Sequence, residues 1–435
     1  MKFIAKGGLN KTPLSGAIRV PGDKSISHRS IMLGSIADGV TEIRGFLEGE
    51  DSLATLKAFR AMGVVIEGPK DGVVTVHGAG LHGLMAPGAP LDLVNSGTSM
   101  RLLSGLLAGQ DFDVEIVGDD SLMSRPMRRV TEPLTQMGAQ IGTTGKGTAP
   151  LKIRGGHTLQ GISYDMPVAS AQVKSCLLLA GLYAGGRTCV QEPAPTRDHT
   201  ERMLAGMGYP VSSQDGKVCL EGGGRLSAIP IDVPADISSA AFFLVGASIA
   251  PGSDLLIEHV GVNPTRTGVL EILRLMGADI EVHHQHEVGG EPVADLRVRY
   301  APLRGIEIPL AQVPLAIDEF PVLFVAAACA QGRTLLTGAE ELRVKESDRI
   351  QVMADGLQAL GIEAEPTEDG MIIEGGRIGS GRVDSWGDHR IAMSFAMAAL
   401  RAQGPISIDD CANVSTSFPG FVELASAVGL SITTE

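Results

Sequence analysis

The chain has 435 residues, of which 44% are hydrophobic and 20% are charged, a composition typical of a globular protein of about two domains. Its formal net charge of -14 disfavours nonspecific binding to nucleic acid or to an anionic membrane surface. No segment is long and apolar enough to span a bilayer, and the five cysteines form no CxxC pair, so we expect a cytoplasmic protein with reduced thiols.

The first conspicuous stretch is VPGDKSISHRS at residues 20–30. A strand at residues 17–20 is predicted to lead through a Pro-Gly turn into a helix whose first turns carry Lys24, Ser25 and Arg29. Free N–H groups and the positive end of a helix dipole bind anions, whereas cations at a helix start oppose the dipole unless an anion is present. The stretch therefore indicates a phosphate site. A capped helix with a solvated basic first turn is the alternative.

One order of elements then recurs along the chain. A nearly apolar helix, a strand, a mixed helix that closes in Met-Gly or a similar pair, and two short alternating strands follow one another six times. The closing glycines are spaced 75, 70, 69, 84 and 68 residues apart, at Gly63, Gly138, Gly208, Gly277, Gly361 and Gly429. The pattern predicts an α/β protein of six βαβαββ repeats.

The domain boundary is predicted between the third and fourth repeats. Two prolines interrupt the pattern there, in the stretch IPIDVPADISSA. We therefore predict one domain at residues 21–235, with repeats one to three, and another at residues 236–435, with repeats four to six. The N-terminal strand within residues 1–20 is assigned to the second of these domains.

Polar side chains cluster at the starts of the later apolar helices. In chain order they are Asn95, Gly97, Thr98 and Arg101; Ser170, Gln172 and Lys174; Asp236, Ser238 and Ser239; Asp318 and Glu319; and Asp388, His389 and Arg390. If these helix starts lie together, their dipoles and cations create a positive region inside an acidic protein. Ordinary N-capping is the alternative for Asn95, Ser238 and Ser239.

Loops that precede the mixed helices add further charged groups. Arg125 is held by the following Pro126, and RVKESDR supplies Lys345, Glu346 and Arg349. The chain has no metal-ligand spacing, no GxGxxG motif, no Walker lysine motif and no plausible nucleophilic cysteine. These observations favour a cofactor-free site that holds phosphate and carboxylate groups while one proton is moved on and off.

Six motifs together resemble a known family. PGDKSISHR, NSGTSMR, SRPM, SAQVKS, RVKESDR and GDHRIAM occur in the order found in the 5-enolpyruvylshikimate-3-phosphate synthase family, and the resemblance covers essentially the whole chain. The resemblance implies an inside-out α/β barrel of two three-repeat domains, with the active site in the interdomain cleft. It also implies an enzyme, a 3-phosphoshikimate 1-carboxyvinyltransferase. Such an enzyme transfers the enolpyruvyl group of phosphoenolpyruvate to the 5-hydroxyl of shikimate 3-phosphate and releases phosphate through a tetrahedral intermediate.

The same resemblance assigns roles to individual residues. Shikimate 3-phosphate would contact Lys24, Ser25, Arg29, Ser170, Gln172, Arg197, Asp318 and Lys345. Phosphoenolpyruvate would contact Lys24, Gly97, Arg125, Gln172, Arg349 and Arg390. The catalytic residues would be Lys24, Asp318, which accepts the 5-hydroxyl proton, and Glu346, which protonates the methylene carbon. Further candidate contacts are His389, Thr98 and Asn95, whereas His28 is expected to be structural.

Two departures are similar to a second subclass of the family, several of whose members tolerate glyphosate. Thr416 stands where many members have lysine, and Arg197 stands where others have serine. Gly97 is retained, so the response to glyphosate as an inhibitor stays open. The resemblance implies no cofactor, no metal, no nucleic-acid or membrane partner, and a monomer.

Two other functions are weighed against this one. A UDP-N-acetylglucosamine enolpyruvyl transferase would carry a cysteine in the loop that matches residues 119–127, and this loop has none. A non-catalytic anion-binding protein would explain the cations but not the two carboxylates Asp318 and Glu346.

Overall fold

The computed structural model describes residues 1–6 and 13–435. The α-helices in these residues are α1 (Lys24–Ile36), α2 (Glu50–Ala61), α3 (Gly97–Ala108), α4 (Asp120–Ser124), α5 (Arg128–Gln136), α6 (Ala171–Gly181), α7 (His199–Gly206), α8 (Ile237–Ile249), α9 (Gly268–Leu275), α10 (Phe320–Ala328), α11 (Arg349–Ala359), α12 (His389–Ala398) and α13 (Phe421–Ala427). Short 3-10 helices lie at Leu310–Gln312, Glu340–Val344 and Ala412–Thr416.

The strands of the described residues are short. They are β1 (Phe3–Lys6), β2 (Ser15–Ile18), β3 (Asp38–Arg44), β4 (Val65–Lys70), β5 (Val73–Ala79), β6 (Leu91–Asp92), β7 (Val114–Val117), β8 (Gln140–Gly142), β9 (Leu151–Arg154), β10 (Ser163–Asp165), β11 (Arg187–Gln191), β12 (Val211–Gln214), β13 (Lys217–Glu221), β14 (Ile231–Asp232), β15 (Asp254–Gly261), β16 (Asp279–Val288), β17 (Glu291–Arg299), β18 (Arg333–Leu336), β19 (Ala364–Pro366), β20 (Met371–Glu374), β21 (Gly381–Asp384), β22 (Ile406–Asp409) and β23 (Ser431–Thr434).

The chain divides into two compact units. Unit 1 contains Met1–Pro21, Pro234–Glu287 and Pro292–Glu435, and unit 2 contains Gly22–Val233 and Val288–Glu291. The short segment Val288–Glu291, at the turn between β16 and β17, belongs to unit 2, whereas the predicted boundaries placed it in the domain of residues 236–435. Its Gly290 carbonyl accepts a hydrogen bond of 2.9 Å from Arg202, and its Glu291 pairs with His199 at 2.7 Å, which explains why it belongs to unit 2.

Among the described residues, each unit contains three sheets. In unit 2 the strand orders are β14-β3-β5-β4, β6-β7-β9-β8 and β10-β11-β13-β12, and in every sheet the first pair is parallel while the others are antiparallel. Unit 1 contains β2-β15-β17-β16, β18-β20-β19 and β21-β22-β1-β23. The predicted α/β class with six repeats is therefore confirmed.

The N-terminal segment is shared between two sheets of unit 1. β1 lies antiparallel between β22 and β23, and β2 runs parallel to β15. The strand predicted at residues 17–20 is observed slightly earlier, as β2. The short first strands thus complete sheets whose other strands come from the second half of the chain.

The apolar helices form the core of each unit. All thirteen residues of α8 and all ten of α12 are buried, and both helices pack against α10 in unit 1. In unit 2, α3 packs against α6 and α1. A helix that is apolar on every side must be surrounded by other elements, which is why these helices lie inside and their first turns hold the polar groups. No helix in the described part of the chain combines the length and apolar character needed to cross a membrane.

The expectation that all cysteines are reduced is wrong for one pair. Cys189 on β11 and Cys219 on β13 are joined by a disulfide because the antiparallel register places them directly opposite each other. Their separation of 30 residues contained no signal of this pairing. Burial raises the pKa of the Cys329 and Cys411 thiols to about 12, so both thiols stay protonated at neutral pH.

Candidate functional site

The start of α1 presents Lys24 in unit 2. Asp23 caps the helix by accepting a hydrogen bond of 2.9 Å from the Ile26 backbone N–H. Lys24 is the first helical residue, and its Nζ lies 3.2 Å from Oδ2 of Asp51 in the first turn of α2. The Asp51 carboxylate therefore offsets a cation that would otherwise oppose the dipole of α1. The Lys24 side chain is 19% exposed and can reach a ligand.

Arg29 is buried one turn further along the same helix. Its Nε donates to Thr200 Oγ1 at 2.7 Å, its Nη2 to Ser175 Oγ at 2.8 Å, and its Nη1 to the Ser25 carbonyl at 2.9 Å. Burial lowers the pKa of Arg29 to about 10, although the Glu201 carboxylate acts in the opposite direction. The guanidinium therefore remains charged at neutral pH.

Gln172 connects the starts of α3 and α6. Its Oε1 accepts a hydrogen bond of 2.8 Å from Arg101 Nη1, and its Nε2 donates to Thr98 Oγ1 at 3.1 Å. Ser170 caps α6 by accepting a hydrogen bond of 3.3 Å from the Val173 backbone N–H. The two hydrogen bonds of Gln172 therefore hold the start of α6 beside the start of α3.

Gly97, the first residue of α3, lies against two guanidinium groups. A Cβ atom at this position would be 2.9 Å from Arg101 Nη1 and 3.0 Å from Arg125 Nη1. Arg125 is also fixed by a hydrogen bond of 2.6 Å from its Nη2 to Asn95 Oδ1. The missing side chain thus lets both cations lie close to the helix start.

Arg349 is the centre of the charged group in unit 1. Its side chain is 1% exposed and is shared among carboxylates that precede different helices. Nε donates to Asp388 at 2.8 Å, Nη2 to Glu346 at 2.6 Å, and Nη1 to Asp318 at 3.3 Å. Burial alone would lower the pKa of Arg349, but these three carboxylates together raise it above its usual value.

Lys345 and Arg390 complete this group. Lys345 Nζ lies 3.5 Å from Asp318 Oδ1. Arg390 is the second residue of α12, and its Nη1 lies 3.9 Å from Glu319 Oε1. Glu319 in turn lies 4.0 Å from the buried Arg266 and accepts a hydrogen bond from Ser238. The consecutive carboxylates Asp318 and Glu319 thus face different cations.

His28 connects three helices of unit 2. Its Nδ1 is 2.8 Å from Thr55 Oγ1 on α2, which is 2.6 Å from Ser99 Oγ on α3. Burial, followed by the charges of Lys24 and Arg29, lowers the pKa of His28 well below its usual value of 6.5. The imidazole is therefore neutral at neutral pH, and its contacts agree with a structural role.

The predicted site residues fall into two groups, one in each unit. Unit 2 holds Lys24, Ser25, Arg29, Asn95, Gly97, Thr98, Arg125, Ser170, Gln172 and Arg197. Unit 1 holds Asp318, Lys345, Glu346, Arg349, Arg390 and the buried His389, for which no role emerges. Each group combines cations with helix starts, which suits ligands that carry phosphate and carboxylate groups.

Sequence reasoning missed several partners of these residues. They are Asp51, Ser175, Thr200 and Arg266. Thr200 follows Arg197 closely and could have been noticed, whereas the others show no local signal. Among residues 1–6 and 13–435, no set of three or more His, Cys, Asp or Glu side chains is arranged to hold a metal ion.

Comparisons with known proteins point to one family. A family model described as EPSP synthase (3-phosphoshikimate 1-carboxyvinyltransferase) matches residues 9–424. A 3-phosphoshikimate 1-carboxyvinyltransferase from Methylococcus capsulatus is 72% identical over 419 residues, which cover 96% of each chain. A solved structure of EPSP synthase from Acinetobacter baumannii is 59% identical, covers 100% of both chains and has a TM-score of 0.90.

A more distant structure shares the fold alone. The enolpyruvyl transferase NikO from Streptomyces tendae is 17% identical, with a TM-score of 0.77 over 99% of this chain and 98% of its own.

Proposed function

The chain belongs to the EPSP synthase family, and from this membership we propose which of its residues carry out the family's reaction. The chain is an enzyme that transfers the enolpyruvyl group of phosphoenolpyruvate to the 5-hydroxyl of shikimate 3-phosphate and releases phosphate. The observation that carries this conclusion is 72% identity over nearly the full length of a relative named 3-phosphoshikimate 1-carboxyvinyltransferase.

Shikimate 3-phosphate is the ligand proposed for Lys24, Ser25, Arg29, Ser170, Gln172, Arg197, Asp318 and Lys345. Two observations support this assignment. Arg29 is held in one orientation by Thr200 and Ser175, so its position is set before any ligand binds. The free N–H groups at the starts of α1 and α6 suit the oxygens of a phosphate.

Phosphoenolpyruvate is the ligand proposed for Lys24, Gly97, Arg125, Gln172, Arg349 and Arg390. Each planar guanidinium can bind a carboxylate or a phosphate through two N–H groups. The absence of a side chain at Gly97 lets Arg125 lie near the start of α3. Arg349 stays charged while buried because three carboxylates surround it.

Asp318 and Glu346 are proposed to move the protons. The 5-hydroxyl oxygen attacks C2 of phosphoenolpyruvate while Asp318 accepts the hydroxyl proton and Glu346 gives a proton to the methylene carbon, which becomes a methyl group. The resulting tetrahedral intermediate then loses phosphate from C2 and a proton from the methyl group, which restores the double bond. Both carboxylates contact Arg349, so the guanidinium can stabilise either of them as its charge changes.

The remaining assignments are also proposals. The enzyme acts as a monomer in the cytoplasm and uses no cofactor. Glyphosate, which carries a phosphonate and a carboxylate, is a candidate inhibitor that would bind to the cations proposed for phosphoenolpyruvate. The matched solved structure and relatives are bacterial EPSP synthases, which supports a biosynthetic role.

A coupled phosphate-release assay tests the proposed function. Phosphoenolpyruvate is supplied alone, with shikimate 3-phosphate, or with UDP-N-acetylglucosamine. We expect release with shikimate 3-phosphate only. Release with UDP-N-acetylglucosamine would overturn the acceptor, and binding of both ligands without any release would favour the anion-binding alternative.

A further inference from the structure

Lys174 is a buried cation that the proposed reaction does not use. It is the fourth residue of α6, and its side chain is 1% exposed. Its Nζ lies 3.0 Å from Glu192 Oε1 and 2.6 Å from Glu201 Oε1, and these two carboxylates are also nearly buried. An ammonium group is retained in such a place only when partners replace its lost water. One ammonium and two carboxylates therefore form a closed ionic cluster.

The three members of this cluster lie on different segments. Lys174 lies on α6, shortly after Ser170 and Gln172, two residues proposed to bind shikimate 3-phosphate. Glu192 comes directly after β11, at the start of the segment that carries Arg197. Glu201 lies in the first turn of α7. The cluster thus connects α6 and the segment of Arg197, which hold all the residues after residue 169 of unit 2 that we propose to bind a substrate.

Two further contacts extend the cluster toward the ligand residues. Glu192 accepts a hydrogen bond from Thr196, the neighbour of Arg197. Thr200, the neighbour of Glu201, accepts from Arg29 at 2.7 Å and donates to Ser175 Oγ at 2.8 Å. A displacement of Glu192 would therefore shift Arg197 through Thr196, and a displacement of Glu201 would shift Arg29 through Thr200.

We propose that Lys174 is a positioning residue for shikimate 3-phosphate. It does not touch the substrate but, through Glu192 and Glu201, holds α6, the Arg197 segment and the Thr200 anchor of Arg29 in the arrangement that binds the substrate. The inference rests on the proposed function, since it names shikimate 3-phosphate as the ligand of these segments.

Local charge and positioning make opposite predictions for Glu192. Removal of a carboxylate near an anion site strengthens anion binding if only charge matters, because a repulsion disappears. Removal of the same carboxylate weakens binding if its contacts with Lys174 and Thr196 hold the segment in place. Tighter binding of shikimate 3-phosphate by Glu192→Ala would therefore indicate an effect of charge, and weaker binding would indicate an effect of positioning.

The test compares Lys174→Met and Glu192→Ala with the exposed controls Lys152→Met and Glu221→Ala in the same unit. Isothermal titration calorimetry gives the Kd for shikimate 3-phosphate alone, and steady-state kinetics give kcat and both KM values. We expect Kd and KM for shikimate 3-phosphate to rise at least about tenfold in both variants, while KM for phosphoenolpyruvate changes less than about twofold. The controls should match the wild type.

Two results would overturn the inference. One is unchanged or tighter binding of shikimate 3-phosphate by Glu192→Ala. The other is a loss of kcat in proportion to a loss of folded protein, with both KM values unchanged, which a merely structural cluster would produce. If Lys174→Met does not fold, Glu192→Ala decides alone. A wild-type protein that fails to bind shikimate 3-phosphate would instead remove the proposed function itself.

Discussion

At the residue scale, the roles proposed for Lys24 and Gly97 depend on the charged side chains that contact each of them. Lys24 is a cation at a helix start with Asp51 as a partner on another helix. Gly97 is a position where a methyl group would meet two guanidinium groups. In both cases the neighbours are charged side chains that a ligand would rearrange, so substitutions there should affect turnover more than folding.

Lys24→Ala should reduce kcat by at least about 100-fold, because it removes a cation that we place against both substrates. The fold should persist, since the Lys24 side chain is only partly buried. Phosphate release measures kcat, and circular dichroism with thermal melting checks the fold. Lys152→Ala, at an exposed position on β9, is the control. A near-normal rate in Lys24→Ala would remove Lys24 from the site.

Gly97→Ala should weaken phosphoenolpyruvate binding without a loss of stability. The new methyl group would displace the ends of Arg101 and Arg125, whereas alanine favours a helix more than glycine does by about 1 kcal/mol. We expect KM for phosphoenolpyruvate to rise about tenfold and the melting temperature to hold or increase.

Gly88→Ala is the matched control for this change, because its Cβ would have no neighbour within 4 Å. Unchanged KM for phosphoenolpyruvate in Gly97→Ala would contradict the assignment of Gly97 and Arg125 to this substrate.

At the scale of elements, the candidate site is organised by helix starts that buried side chains connect. His28 links α1 to α2 and α3. Arg349 at the start of α11 links the segments that precede α10 and α12. The apolar helices recognised from the sequence indicated where the starts of α1, α3, α10 and α12 lie, because burial follows from local composition. The connections between helices depend on tertiary packing and could not be predicted in the same way.

His28 should make stability depend on pH. The pKa of His28 is lowered by burial in the folded state but is 6.5 in an unfolded chain, so the unfolded state binds the proton first. Stability is therefore full above pH 6.5 and is lost as the pH falls toward the folded pKa, by at most about 1.4 kcal/mol per pH unit. Urea unfolding of wild type and His28→Asn between about pH 5 and 8 measures this slope.

The His28→Asn variant should lose the part of the pH dependence of stability that comes from His28, whatever its stability at pH 8. His157→Asn, at a partly exposed position in the same unit, should retain the pH dependence of the wild type. Equal slopes in wild type and His28→Asn would show that His28 does not titrate in this way.

Arg349→Lys should destabilise the fold by about 3 kcal/mol, because one ammonium group cannot replace three directed contacts in a buried site. Urea unfolding measures the loss, and kcat/KM for phosphoenolpyruvate should fall with it. Arg333→Lys, at an exposed ion pair with Glu374, should cost less than about 1 kcal/mol. Equal stability of the two variants would contradict the role of Arg349 as a connection between helices.

At the scale of the molecule, repetition was the strongest signal in the sequence. The closing glycines and apolar helices indicated six repeats, because both depend on local backbone and composition. The N-terminal segment was assigned from the sequence to the domain of repeats four to six, but the choice of β22 as a partner of β1 was not predictable. The placement of Val288–Glu291 in unit 2 was not predictable either, since both features join residues far apart in the chain. The same limit applies to the disulfide of Cys189 and to the 171-residue separation between Arg29 and its partner Thr200.

In the proposed reaction, the site moves a proton onto and off the methylene carbon during enolpyruvyl transfer. Turnover in deuterium oxide tests this directly, with mass spectrometry of the product's vinyl group. Addition followed by elimination passes through a methyl group, so we predict deuterium in that vinyl group. A Glu346→Gln variant should form little product. Efficient formation of the enolpyruvyl product without any deuterium would contradict the account.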